Sequence, residues 1–214
     1  MLRKLITALL ASSAFYVLLP AIVRPEALRL PQLWILVVAA ILISMFQPTY
    51  KPIDGTAPVH DRGTATQIVW SVYLTQLIGV IEAIFFRYPE SFRWDNVTTM
   101  ALIAMFAGLG LRVWAVLTLG RFFTWFITVY DDHQVIRTGP FRFIRHPSYC
   151  GAWILFVSTL LFLHAWVGAV LSLVVQLLAY RRRIQYEERA MIQKLGPSYE
   201  TYTHEVKALI PLLW

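Results

Sequence analysis

Apolar residues in this chain fall in long, nearly unbroken blocks, neither alternating as in a strand nor forming the one-sided stripe of a surface helix. Leu5 to Val23 is the first block and Leu30 to Gln47 the second. Ala65 to Phe86, carrying Glu82, is the third, and Val97 to Gly120, carrying Arg112, is the fourth. A hydrocarbon layer of roughly 30 Å asks for about 20 helical residues, so each block predicts a membrane helix. The next block, Tyr149 to Tyr180, runs for about 32 residues with His164 as its titratable interruption, or about 48 Å as one helix. That overshoots the layer, so the pattern predicts a hairpin of two short helices turning near His164 to Gly168. The chain therefore reads as an all-α, multi-pass integral membrane protein of about six transmembrane helices.

Composition agrees: 58% of the 214 residues are hydrophobic, 14% are charged and the mean hydropathy is +0.59, far from a soluble domain. One cysteine, Cys150, excludes an intrachain disulfide and a thiolate zinc site; near Gly151 it reads as small volume, not as a nucleophile. The Arg3-Lys4 start and the "ASSA" that follows resemble a signal peptide, but the apolar run continues past Ala14, which favours a retained anchor. No repeat or long linker divides the chain. It reads as one structural domain, with residues 1–96 free of motifs and residues 97–214 holding the chemistry.

Loop charge gives an orientation. With a cytoplasmic N-terminus, one side collects Arg3, Lys4, Lys51, Arg62, Arg121, Arg137, Arg142, Arg145, Arg181 to Arg183, Arg189, Lys194 and Lys207. The other side receives Arg24, Arg29, Arg87 and Arg93. This asymmetry accounts for the net charge of +7 without a nucleic-acid partner, and it places two unusual polar segments on the cytoplasmic face.

The first segment contains "RTGPFRFIRHPSYCGAW", residues 137–153. Pro147 suits the first turn of a helix, and its ring forces His146 to be extended. A helix N-terminus beside Arg142 and Arg145 makes an anion-binding corner, although basic residues there can equally meet lipid phosphate. The second segment starts at "RRRIQYEERAMIQKLGPSYETYTHEV". If the helix continues, Arg183 and Glu187 share a face while Glu188 points about 100° further round. One carboxylate can then be a structural partner while the other faces a ligand. Gly196-Pro197 stops that helix, and Ser198 is placed to cap a short amphipathic one with Tyr199, Tyr202 and Val206, lying on the membrane surface. A solvated ion-pair face followed by an interfacial anchor accounts for the same pattern.

"GRFFT" at Gly120 to Thr124, "HQVIRTGPFRFIRHPSYCG" at 133–151, "RIQYEERAMIQKLGPSYETYTHEV" at 183–206 and a terminal "LIP" together resemble the isoprenylcysteine carboxyl methyltransferase family and its phospholipid methyltransferase relatives. The likeness runs from about Gly108 to the C-terminus. It implies S-adenosyl-L-methionine as cofactor and a lipophilic or prenylated acceptor arriving from the bilayer. The motif positions implied for the cofactor are His133, Gln134, Val135, Gly139 and Pro140 in the loop, then His146, Tyr149 and Glu188, with Tyr199 and Tyr202 closing the cytoplasmic side. Those implied for transfer are Arg145 and Arg183, holding an acceptor carboxylate, and Glu187. No metal site is implied.

The acceptor itself stays open. A carboxylate is ionised at pH 7 and needs an arginine fork, whereas a lipid amine must first lose a proton, for which Glu187 or Glu188 could serve as base. A sterol-reductase-like enzyme binding NADPH and a non-catalytic protein of the same fold are the rivals from other classes. Within the spans, Glu82 and Arg112 are expected to face the bundle, most simply as an ion pair, with an acceptor-site role for Arg112 as the alternative. His164 reads as a turn residue.

Overall fold

The computed structural model describes Ile6 and residues 14–46 and 61–210. Of the first apolar block, Ile6 and the part from Ala14 onward are thus described. A π-helical stretch, Ala14–Leu18, leads into α1 (Leu19–Val23), followed by α2 (Pro31–Met45), α3 (Thr64–Ile81), α4 (Asn96–Leu119), α5 (Pro147–Phe162), α6 (Trp166–Leu195) and α7 (Pro197–Glu205). No strand occurs among the described residues; a single parallel bridge joins Ile144 to Lys207.

Among the described residues two helical segments are long and apolar enough to cross a membrane, Thr64–Phe86 and Asn96–Phe122, while Pro31–Met45 and Pro147–Phe162 are apolar but shorter. The expected hairpin turns where the sequence places it, between Phe162 and Trp166, but its arms are unequal. α5 has 16 residues, whereas α6 runs for 30, about 45 Å, because Tyr180 to Leu195 continues the apolar helix as a polar extension with no breaker before Gly196.

The tightest packing is between α4 and α5. A Cβ on Gly151 would lie 2.6 Å from the Gly108 carbonyl oxygen and 2.6 Å from the Arg112 nitrogen, and one on Gly108 would lie 2.7 Å from the Gly151 carbonyl oxygen. The two backbones touch because neither position has a side chain, the small-residue device by which helices associate in lipid. α3 packs along α6, and Gly79 meets Gly168 at that crossing.

The bundle has two distinct ends. At one, Gln32 donates to the Phe92 carbonyl at 2.5 Å, the Arg24 guanidinium lies over the Tyr88 ring, and His164, in a left-handed turn with φ 48, bonds through Nε2 to Asp95 at 3.1 Å. The expected Glu82–Arg112 ion pair does not form. Glu82 instead accepts from the Val167 and Gly168 amides at 3.3 and 2.9 Å, so its charge meets the N-terminus of α6, where free donors and the helix dipole favour an anion. Arg24, Arg29, Arg87 and Arg93 cluster at or near this end, as the loop charges predict, and residues 61–64, 120–146 and 181–210 gather at the other.

Candidate active site

The site is built at that second end from three segments of the chain: the loop after α4, the start of α5, and the polar extension of α6. Asp95 caps α4 by accepting from the Thr98 amide at 2.9 Å. At the far end of α4 Gly120, with φ 54, turns the chain into the 120–146 loop. His146 is the N-cap residue and Pro147 the first residue of α5, as its sequence predicts. The C-terminal tail returns to this point, the Arg145 and His146 amides donating to the carbonyls of Lys207 and Ala208 at 2.8 and 2.9 Å. Leu209, fully buried, packs with Ala208 and Ile184 against Tyr149, Cys150 and Trp153.

Glu187 and Glu188 divide their roles as two faces of one helix, though in the opposite sense to the expectation for the ligand. Glu188 is turned to Arg145, which donates from Nε at 2.8 Å and Nη2 at 2.7 Å, and to His146 Nε2 at 3.0 Å. Burial alone would raise the Glu188 pKa, but these hydrogen bonds and the two adjacent positive groups outweigh it and hold the carboxyl below its ordinary value. Glu187 is the carboxylate in the cleft wall, accepting from the Tyr149 hydroxyl at 2.6 Å.

A cleft of mixed polar and apolar lining, open to solvent, lies between the loop, α5, α6 and α7. His133, Gln134, Val135, Arg145, His146, Tyr149, Arg183, Glu187, Tyr199 and Tyr202 all line it, so most of the residues singled out from sequence are brought together. Gly139 and Pro140 instead shape the loop. A Cβ on Gly139 would lie 3.0 Å from Thr118 Oγ1 and 3.2 Å from Trp114 Nε1, and Pro140 is buried. Helix α7 caps the cleft with Tyr199 and Tyr202, the Tyr202 hydroxyl donating to the Phe141 carbonyl at 2.6 Å. Its N-cap is Gly196; Ser198, the expected cap, donates to the Leu195 carbonyl at 2.9 Å. Burial beside Glu187 and Glu188 raises the Tyr199 pKa, and burial pushes Tyr202 up to about 12, so both phenols stay protonated.

The two arginines expected to form an open fork are largely committed to the protein. Arg145, besides Glu188, donates from Nη1 to the Thr203 carbonyl at 2.9 Å and to that of Val206. Arg183 pairs with Asp61 and donates to Thr64 Oγ1 at 2.9 Å, the Trp125 carbonyl at 2.9 Å and the Tyr149 hydroxyl at 3.1 Å. Asp61, 2% exposed, also accepts from the Ala65 and Ile127 amides. It thereby ties α3, the loop and α6 together at one point. Sequence reading passed over Asp61, although "DRGT" ahead of an apolar run has the make-up of a helix start.

A second cavity, mainly apolar and partly open, lies between α2, α3 and α5, with Phe15 and Tyr16 at one side. Among the described residues its charged lining is Arg112 and Arg183. Arg112, buried, donates from Nη1 to the Ser148 carbonyl and to Ser148 Oγ, both at 3.1 Å, with its guanidinium 5.8 Å from the centre of the Phe123 ring. The two cavities share Phe123, Thr124, Tyr149 and Arg183 as common walls. A mainly apolar cavity between the helices thus abuts a cleft of mixed lining at the bundle end, separated by a few side chains.

The cleft suits a cofactor with an amino-acid and a nucleoside part. It offers Glu187 to an ammonium, aromatic faces to a base, and a His133 Nδ1 that is buried without a protein hydrogen-bond partner. Burial lowers the His133 pKa, with Glu187 and Asp132 opposing, which keeps the imidazole neutral at pH 7 and able to bond a hydroxyl.

Residues 100–193 match the isoprenylcysteine carboxyl methyltransferase family. A probable protein-S-isoprenylcysteine O-methyltransferase of Oryza sativa subsp. indica is 32% identical over 149 residues, 69% of this chain and 77% of that protein. Protein-S-isoprenylcysteine O-methyltransferase A of Arabidopsis thaliana is 34% identical over 145 residues, 67% of this chain and 73% of that protein. The solved structure of a eukaryotic intramembrane Ras methyltransferase of this family superposes with a TM-score of 0.66, covering 98% of this chain and 74% of that one, at 20% identity. With the motifs in order, the helical fold shared and relatives of this identity matched over most of their length, the chain belongs to the isoprenylcysteine carboxyl methyltransferase family.

Proposed function

We propose that this protein transfers a methyl group from S-adenosyl-L-methionine to the carboxylate of an isoprenylcysteine. The observation that carries the reading is the pair of abutting cavities, one of mixed lining with Glu187 and His133 in its wall and one mainly apolar. A reaction between a water-soluble donor and a lipophilic acceptor needs such a meeting point, with water kept from the junction. In this reading residues 97–214 hold the cofactor, and the motif-free residues 1–96 supply much of the acceptor wall through Phe15, Leu36, Ile43, Val69 and Gln76.

When bound, the cofactor supplies an electrophilic methyl on a sulfonium. The protein's part is positioning. Glu187 and His133 hold the amino-acid and ribose groups, Tyr199 and Tyr202 cover them, and Tyr149 and Phe123 stand between the cavities. The acceptor carboxylate is ionised at pH 7, so no side chain has to remove a proton. Arg112 makes the junction end of the apolar cavity positive in a low-dielectric setting, the charge of Arg183 being balanced by Asp61, and a positive junction attracts a carboxylate and repels the protonated amine of phosphatidylethanolamine. That electrostatic sign favours O-methylation over N-methylation. Arg145 and Glu188 hold the C-terminal segment over the cleft, and Arg183 orients Tyr149 and the 124–127 loop.

In the same reading the protein spans the membrane with six helices, both termini and the cleft on the cytoplasmic side. The test is methyl transfer by the detergent-purified protein, with a prenylcysteine analogue and phosphatidylethanolamine as competing acceptors and NADPH binding measured alongside. A base-labile methyl ester on the prenylcysteine is expected. Methylated amine alone, or binding of NADPH in place of the methyl donor, overturns the assignment.

A further inference from the structure

Arg183 stands between two carboxylates. On one side it pairs with Asp61, which lies just ahead of α3, is buried and lines neither cavity. On the other side its Nε is 3.9 Å from Glu187 Oε2, one turn further along α6. The Tyr149 hydroxyl sits in that gap, accepting from Arg183 Nε at 3.1 Å and donating to Glu187 at 2.6 Å. The guanidinium is thus committed on its buried side, while Glu187, with its side chain 32% exposed, faces the cleft.

A tether alone needs no charge at position 61. The amides of Ala65 and Ile127 and the Thr64 hydroxyl donate to Asp61, and a neutral carbonyl oxygen accepts such bonds as well. The charge matters to the guanidinium. A buried arginine stripped of its carboxylate bears a large desolvation cost, which it lowers by turning to the nearest anion. That anion is Glu187: closing 3.9 Å to the roughly 2.8 Å of a charge-assisted hydrogen bond needs a shift of about 1 Å. Glu187 would then be neutralised inside the protein and lost to a cationic ligand group.

We propose that Asp61 is a positioning residue for the methyl donor: by holding the Arg183 charge on the far side of Tyr149, it leaves the Glu187 charge for the donor's ammonium. The proposal rests on the cofactor reading above and adds to it a residue outside both cavities that sets the charge of the cleft wall.

The experiment titrates the detergent-purified protein with S-adenosyl-L-homocysteine, which carries the same ammonium and transfers nothing, and with its analogue lacking the amino group. Asp61→Asn keeps the shape of the side chain and an acceptor oxygen but removes the charge. It should weaken binding of S-adenosyl-L-homocysteine at least about tenfold, the loss of one charged hydrogen bond, and leave the desamino analogue within about threefold. Asp61→Asn combined with Arg183→Gln leaves no guanidinium to claim Glu187 and no buried charge unpaired, so it should bind S-adenosyl-L-homocysteine within about threefold of the native protein. Equal loss for the two compounds in Asp61→Asn overturns the proposal. If that variant does not fold, the double variant decides, and weaker binding than this overturns it. A ligand-free measurement runs alongside. Glu187→Gln should barely move the melting temperature of the native protein but lower it clearly in the Asp61→Asn background, where Glu187 has become the partner of Arg183; the same shift in both backgrounds overturns the proposal. If neither compound binds the native protein while this coupling is present, the partition of charge stands and the cofactor reading fails.

Discussion

Arg145→Lys separates two roles for an arginine at the mouth of the cleft. The lysine keeps the positive charge beside Glu188 but has one nitrogen where arginine uses three. Arg145 holds Glu188 through Nε and Nη2 and, through Nη1, the carbonyls of Thr203 and Val206, while its side chain is only 9% exposed. A lysine that stays with Glu188 strands both carbonyls. Hydrogen bonds from a charged donor contribute about 1.5–3 kcal/mol each, so the loss of two comes to about 3 kcal/mol, or about a 100-fold fall in the ratio of docked to undocked tail. Those carbonyls lie in the segment that brings Tyr199 and Tyr202 over the cleft. Amide hydrogen exchange over residues 197–210 should therefore quicken by about that factor, and methyl-donor affinity should fall with it. Were Arg145 instead an acceptor clamp, the lysine variant would lose turnover while the tail stayed protected and donor affinity held. That result would falsify the structural assignment of Arg145.

Two further outcomes follow from the packing and the charges. Glu188 has a depressed pKa in the folded protein, so its contribution is complete above the unfolded value of about 4.3 and drains away as pH falls through the folded value. Protection of the 197–210 tail should collapse over that acidic window in the native protein, whereas Glu188→Gln should be weaker at pH 7 and insensitive across it; an identical acid profile in both would remove Glu188 from the tail's anchorage. Gly151→Ala forces the backbones of α4 and α5 apart and should destabilise by about 1–3 kcal/mol, seen as a lowered melting temperature in detergent, while Gly110→Ala, whose new Cβ meets nothing within 4 Å, should not; equal behaviour of the two would refute the backbone contact as the cause.

The sequence by itself determined the helical class, the position of the hairpin turn, the start of α5 at Pro147, the stop at Gly196 and the separation of basic residues between the two ends. These are local or additive properties: apolar run length, the fixed φ of proline, the tolerance of glycine for a left-handed turn, and a count of charges. Tertiary structure decided which groups answer one another. Glu82 and Arg112 looked like partners because each is costly alone in a span, yet Glu82 found the amides of α6 and Arg112 found Ser148, since a buried charge accepts any sufficient donor and sequence distance does not rank them. Likewise, helical phase separates Glu187 from Glu188 by about 100°, but only the docked tail and His146 determine that Glu188 becomes the anchor and Glu187 the cleft wall. Asp61, more than a hundred residues from Arg183, draws its importance from what packs against it. The apolar cavity was invisible for the same reason: it is the space left between helices, and its shape belongs to their packing and to no one segment.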